Sequence, residues 1–176
     1  MNGIGKKTIE AFYRGEEKAS RIVFCRYRKL VYFALSTVLK EKSDMDDAYQ
    51  EVFLRLFKNK PEFDEEGHSL PSYLVKAART IAIDMARRAS LICLADVEEQ
   101  TADQSQSVGC IVSKYLSPPL TKLEGEIVAY KAAFELSFSD VSDIIGIPET
   151  TVRRIYKKSM ERIKKEYKHD RQKKNP

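Results

Sequence analysis

Apolar residues recur every three or four positions along almost the whole chain, the period of an amphipathic helix rather than the alternation of a strand. Ile9, Phe12 and Tyr13 fit a short first helix that Thr8 is placed to cap and that stops at Gly15. Residues 17–39 carry Val23, Tyr27, Leu30, Val31, Ala34, Leu35 and Val38 on one stripe. Ser43 and Asp44 are placed to cap the next helix, with Ala48, Val52 and Leu56 inward and Asp47, Gln50, Glu51 and Arg55 outward. That helix must end before Pro61, and PEFDEEGHS reads as a loop. Ser69 then caps a helix with Pro71 in its first turn and Leu74, Ala77, Ala78, Ile81 and Met85 inward. Arg87 and Arg88 close it, where cations suit a helix C-terminus.

After residue 88 the periodicity fades. The stretch ASLICLADVEEQTADQSQSVGCIVSKYLSPP holds a polar run and reads as a linker, ending at Pro118-Pro119. A helix then starts near Leu120 with Leu123, Ile127, Tyr130 and Phe134. A short one follows over 139–145, capped by Ser139, with Val141, Ile144 and Ile145 inward. Gly146-Ile147-Pro148 makes a sharp turn into a last helix, 149–167, with Val152, Ile155, Tyr156, Met160 and Ile163 inward. No segment reads as a strand. The expected fold class is all-α, in two small helical modules: 1–90, a linker over 91–118, and 119–176.

Composition narrows the function. The 176 residues have 43% hydrophobic content, enough for a core, and only 7 Gly and 6 Pro, too few for a many-stranded barrel. Neither a membrane-spanning run nor a signal-type apolar start is present in the sequence, so a cytoplasmic protein without membrane insertion is expected. Three widely spaced cysteines, Cys25, Cys93 and Cys110, fit reduced, partly buried thiols rather than disulfides or a zinc site. Two isolated histidines and no Gly-rich phosphate loop give an enzyme no support; no cofactor and no metal are expected.

The net charge of +5 is unevenly laid out. Residues 1–88 and 122–176 each carry +4, and 89–121 carry −3. Residues 151–176 hold 11 basic groups against 3 acidic ones. Charge alone fits a solvated helix face as well as a phosphate-binding one. The segment SFSDVSDIIGIPETTVRRIYKKSMERIKK decides, because it reads as a helix-turn-helix. Ser142 is the small residue facing the partner helix, Gly146 supplies φ > 0, Ile147 plugs the angle, and Val152 and Ile155 anchor the second helix. Thr150, Thr151, Arg153, Arg154, Lys157 and Lys158 are left outside, at the end that enters a major groove. An ordinary αα-corner would have the same turn, but a face this rich in cations and hydroxyls favours DNA.

These motifs together resemble the bacterial sigma-70 family of RNA polymerase sigma factors, in particular the small extracytoplasmic-function type. The N-terminal module is similar to region 2 through YRGEEKA, YRKLVYFAL, DDAYQEVFLRLF and EFDEEGHSLPSYLVKAARTIAIDMARR, and the C-terminal module to region 4 through the helix-turn-helix. The resemblance implies a subunit that binds core RNA polymerase and directs promoter-specific initiation. Its docking helix on the β′ clamp helices would use Asp47, Gln50, Glu51 and Arg55, with Phe53 and Phe57 as apolar contacts. The β flap is a second implied contact on the polymerase. Recognition and melting of the −10 element would fall to His68, Ser69 and Tyr73, with Lys76, Arg79, Arg87 and Arg88 on phosphates. Tyr73 fits a stacking role or a core position equally well. The −35 element would be read by Thr150, Thr151, Arg153, Arg154, Lys157 and Lys158. Members of this size usually have some sequestering control, so an anti-sigma partner belongs to the expectation. The competing reading is a polymerase-independent helix-turn-helix regulator, which would have no need for DDAYQEVF and FDEEG.

Overall fold

A computed structural model of the protein describes residues 4–63, 69–95 and 120–173. Among these are seven α-helices, one π-helical turn and no strand. They fall into two compact units, divided after Ser107. The two-module all-α reading agrees with this; most of the expected linker lies outside the described residues.

The N-terminal unit holds α1 (Lys6–Tyr13), α2 (Glu17–Ser36), α3 (Lys42–Asn59) and α4 (Leu70–Ala95). The predicted stripe of α2 is its centre: Val23, Tyr27, Leu30, Val31, Ala34 and Leu35 are all buried. Both α2 and α3 pack on α4, which contributes Leu74, Val75, Ala78, Ile81 and Ala82. Each of the Leu, Val and Ile side chains contributes about 1.5–3 kcal/mol on full burial. A second layer is aromatic. Tyr32 stacks on Tyr49 at 4.9 Å, Tyr49 meets Phe53 at 4.9 Å, and Phe53 meets Phe24 at 4.8 Å. Phe24 then meets Phe12 at 6.0 Å and Phe12 meets Phe57 at 5.9 Å, both edge to face. This seam of six rings joins α1, α2 and α3. Cys25 is exposed on α2, not partly buried, because its position lies off the apolar stripe.

Several element ends differ from the sequence reading. Thr8 lies inside α1, whose N-cap is Gly5. The α2 helix stops at Ser36 because hydroxyls compete for its last carbonyls: Ser36 Oγ donates to Phe33 O at 2.8 Å and Thr37 Oγ1 to Ala34 O at 2.7 Å. Ser43 and Asp44 lie within α3, which starts after Glu41. Lys60 ends α3 in the left-handed conformation at φ 41°, and Pro61 follows. Ser69 caps α4 as expected, its Oγ accepting the Ser72 N–H at 3.2 Å. However, α4 continues through Arg87 and Arg88 to Ala95, since the apolar residues Leu91 to Leu94 extend a helix-compatible sequence.

The C-terminal unit holds α5 (Lys122–Val128), the π turn (Ala129–Ala133), α6 (Phe138–Ile145) and α7 (Glu149–Lys173). Thr121 and Glu124 form a capping box at the start of α5, and Ser137 and Asp140 another at the start of α6. Ser137, not Ser139, is therefore the cap of α6. The uninterrupted helix expected from Leu120 to Phe134 is instead broken by the π turn, where Phe134 N–H bonds to Ala129 O and Leu136 N–H to Tyr130 O. Glu135 absorbs the change at φ 53°. Ile127, Tyr130, Val141 and Val152 are completely buried, whereas Leu123, expected inward, is 40% exposed. Glu124 also accepts from Arg162 Nη1 at 2.9 Å, fastening α5 to α7. The last helix extends past its expected end at residue 167 to Lys173.

Two stability predictions follow from these ties. Tyr13 Oη donates to Pro61 O at 2.9 Å, pinning α1 to the end of α3. Burial, with Tyr73 nearby, pushes the Tyr13 phenol up to about 12. Unfolded tyrosine ionises near 10, so this contribution is present below pH 10 and is lost as pH rises towards 12. Urea denaturation of Tyr13→Phe is expected to show a loss of about 1 kcal/mol at pH 8 and a smaller further loss at pH 11 than wild type shows. Glu124 is held below the ordinary carboxylate range by the Thr121 backbone N–H, helped by the Thr121 hydroxyl and Arg162. Its contribution is present above the unfolded value and is lost as pH falls through the depressed folded one. Glu124→Gln should cost about 1 kcal/mol at pH 7 and flatten the acid limb of thermal melts taken from pH 6 to pH 3.

Candidate nucleic-acid and partner interfaces

Burying Ala48, Val52 and Leu56 turns the opposite face of α3 to solvent. Asp47, Gln50 and Glu51 lie there, fully outside the core, with Arg55 half-buried beside them. Phe57 is 40% exposed, with the Lys60 ammonium 5.6 Å from its ring centre. Phe53 departs from its expected role: it is buried at 4% exposure within the ring seam and can act on a partner only through packing. Leu54, 51% exposed, is the residue that sequence reasoning missed. It follows Gln50 by four positions and Glu51 by three, so it shares their face. An apolar residue at a polar position of the helical period was the signal. The resulting patch has acidic and amide groups around an apolar centre.

His68 lies outside the described residues together with 64–67. Ser69 is committed to capping α4. Tyr73 is half-buried: its ring stands edge-on to Phe63 at 5.9 Å, and its hydroxyl accepts from Asn59 Nδ2 at 3.4 Å. It is thus neither core nor free, with one part of the ring open. Tyr73, Lys76, Thr80, Ile83 and Arg87 follow one another by three or four positions and share an outer face of α4. Lys76, Arg87 and Arg88 are exposed and Arg79 is half-buried. Ile83, 41% exposed, adds an apolar element to this basic face that the sequence reading did not include. A cleft of about 820 Å³ opens between α1 and residues 60–63 and 69–71, lined by Tyr13, Tyr27, Phe63 and Ser69 among others.

In the C-terminal unit, α6, the turn and α7 form the expected helix-turn-helix. Gly146 adopts φ 77° and its N–H bonds to Ser142 O at 2.8 Å. The Ser142 hydroxyl donates to Ile147 O at 2.6 Å, so this residue ties α6 to the turn rather than merely leaving room. Pro148 O accepts from Thr151 and Val152, starting α7. Val152 is fully buried and Ile155 half-buried, which fixes the rotation of the helix. Thr150, Arg153, Arg154, Lys157 and Lys158 are then exposed together and Thr151 is half-buried. Arg153 differs from the others in being held: Nε donates to Glu149 Oε1 at 2.8 Å, and the guanidinium lies 4.3 Å from the centre of the Phe138 ring. Among the described residues no cluster of His, Cys, Asp and Glu could hold a metal ion, and no helix is long and apolar enough to cross a membrane.

Comparison with known proteins bears on the domain and the fold. Residues 23–92, which cover most of α2, all of α3 and most of α4, match the family model for sigma-70 region 2. No curated protein matches the chain. Two solved structures share its fold. One is CnrH in complex with the cytosolic domain of CnrY, at 16% identity and TM-score 0.57, covering 93% of this chain and 96% of that one. The other is the sigma factor RpoE in complex with the anti-sigma factor NepR from Bartonella quintana, at 14% identity and TM-score 0.56, covering 86% and 98%. Residues 23–92 are thus similar to sigma-70 region 2, within a two-unit helical fold that these two solved structures share.

Proposed function

We propose that the protein is a dissociable promoter-specificity subunit of the extracytoplasmic-function type, which binds core RNA polymerase and directs transcription initiation without chemistry of its own. The observation that carries this reading is the conjunction of a sigma-70 region 2 match over residues 23–92 with a helix-turn-helix whose outer face bears Thr150, Arg154, Lys157 and Lys158. Residues 1–90 serve as the region 2 domain, 91–118 as a linker and 119–176 as the region 4 domain. A regulator that acts without polymerase is not favoured, because it would leave region 2 with no task.

The patch of Asp47, Gln50, Glu51 and Arg55, with Leu54 and Phe57 as apolar contacts, suits the β′ clamp helices. A partner helix with basic side chains finds charge complementarity at the acidic groups, and the apolar centre loses water on contact. On α4, Lys76, Arg79, Arg87 and Arg88 neutralise phosphates of the −10 element. The open part of the Tyr73 ring, with His68 and Ser69 nearby in sequence, supplies stacking for an unpaired base. The binding energy gained on the separated strand offsets the loss of pairing in the duplex. On α7, Arg153 and Arg154 read base edges of the −35 element, while Lys157 and Lys158 hold phosphates. The β flap is the second polymerase contact, through the C-terminal unit. Both solved relatives are complexes with a partner protein, which supports an anti-sigma partner for this chain, acting in the cytoplasm.

Purified full-length protein is expected to co-elute with core RNA polymerase and to direct run-off transcription from a subset of genomic fragments. Gln50→Ala combined with Glu51→Ala should weaken core binding by about tenfold, equivalent to about 1.4 kcal/mol, and leave the melting temperature unchanged. Binding to promoter-containing DNA as a dimer without any binding to core would exclude the sigma reading.

A further inference from the structure

Phe138 opens α6, outside the helix that faces DNA in the proposed function, yet its ring carries the first arginine of α7. The Arg153 guanidinium lies 4.3 Å from the ring centre, and Nε and Nη2 both donate to one oxygen of Glu149, the first residue of α7. The ring is itself braced. Tyr156 stands against it at 5.6 Å and 72°, and Lys131 Nζ lies 4.5 Å from its centre while donating to Leu136 O at 2.6 Å. Arg153 is thus fixed by two helices while its side chain stays 58% exposed. The Nε edge is occupied by the carboxylate, whereas the Nη1 and Nη2 end keeps donors available. Two parallel donors on a guanidinium are what bidentate contact with guanine O6 and N7 requires. An arginine already held in one rotamer loses less freedom on making that contact than an unconstrained one.

We infer that Phe138 and Glu149 are positioning residues which pre-set Arg153 to read a guanine, so that preference at one base position is governed by side chains that do not touch DNA. The inference rests on the reading of α7 as the helix that enters the major groove. A purely neutralising role for Glu149 would differ in outcome: its removal would raise affinity for every sequence alike.

The test is selection from a randomised DNA duplex library by core polymerase assembled with the full chain, as wild type, Arg153→Ala, Phe138→Leu, Phe138→Tyr or Glu149→Gln. Wild type is expected to enrich a motif, and Arg153→Ala to lose a guanine at one position of it. Phe138→Leu and Glu149→Gln should weaken preference at that same position about 3- to 10-fold and leave the other positions intact. Phe138→Tyr, which keeps the ring, should restore it. In an Arg153→Ala background Phe138→Leu should add nothing. The proposal is overturned if Arg153→Ala changes no single position, or if Phe138→Leu and Glu149→Gln leave that position unaltered or weaken all positions equally. It is also overturned if Phe138→Leu costs as much without Arg153. Glu149→Gln, an isosteric change at the first residue of α7, keeps the test decisive should Phe138→Leu fail to fold. Absence of any wild-type motif would instead sink the reading of α7 as a DNA-reading helix.

Discussion

The burial of one apolar stripe on α2 is the constraint from which the N-terminal unit follows. Val23, Tyr27, Leu30, Val31, Ala34 and Leu35 leave water only if α4 covers them. Non-directional hydrophobic burial sets no rotation by itself; the shapes and spacing of the packed side chains do. Once α3 closes over the remaining edge with Ala48, Val52 and Leu56, the rotation of every helix about its own axis is fixed. The outward faces are then consequences. Asp47, Gln50, Glu51 and Leu54 become one patch, and Tyr73, Lys76, Ile83 and Arg87 become another, with no further device needed to assemble either. The same logic operates in the C-terminal unit, where burial of Val152 turns Arg154 and Lys157 outward.

This separation lets a chain with modest net charge present surfaces of unlike character, as the two proposed partners would require. A protein that merely coats DNA would distribute cations everywhere. Here acidic and amide groups gather on α3 while cations gather on α4 and α7, so each face presents its own electrostatic sign. The ring seam supports this arrangement from within. Edge-to-face contacts between Phe12, Phe24, Phe53 and Phe57 are specific in geometry, worth about 0.5–1.5 kcal/mol each beyond area burial, and they hold α1 and α2 against α3.

The stripes of α2, α3 and α7 were legible in the sequence because their apolar residues keep the helical period without interruption. Helix ends were less so. Ser137 and Ser139 both look like caps, and the choice falls to Ser137 because Asp140 stands three residues on and returns the hydrogen bond. The same pattern at Thr121 and Glu124 marked the start of α5. The π turn left no trace that period-counting could use, since one extra residue in a helix shifts the phase no more than a loop would. Phe53 was misplaced because the aromatic seam turns a position next to the polar face inward. Leu54 was overlooked for the complementary reason: it sits in the polar phase. The tether on Arg153 joins α6 to α7 through a ring, and contacts between elements are beyond any periodic pattern.

That tether has a further consequence for how the C-terminal unit would respond to its ionic surroundings. A lysine or arginine that meets a phosphate normally expels a small cation from the DNA atmosphere, and the logarithm of affinity falls by about 0.9 per contact for each tenfold rise in salt. Arg153 carries its own built-in counterion in Glu149. A cation already balanced within the fold neutralises little of the polyanion and displaces few ions from it. On the proposed reading, the salt slope of this helix would report Arg154, Lys157 and Lys158, while Arg153 would contribute selectivity that persists when ionic strength has weakened the rest.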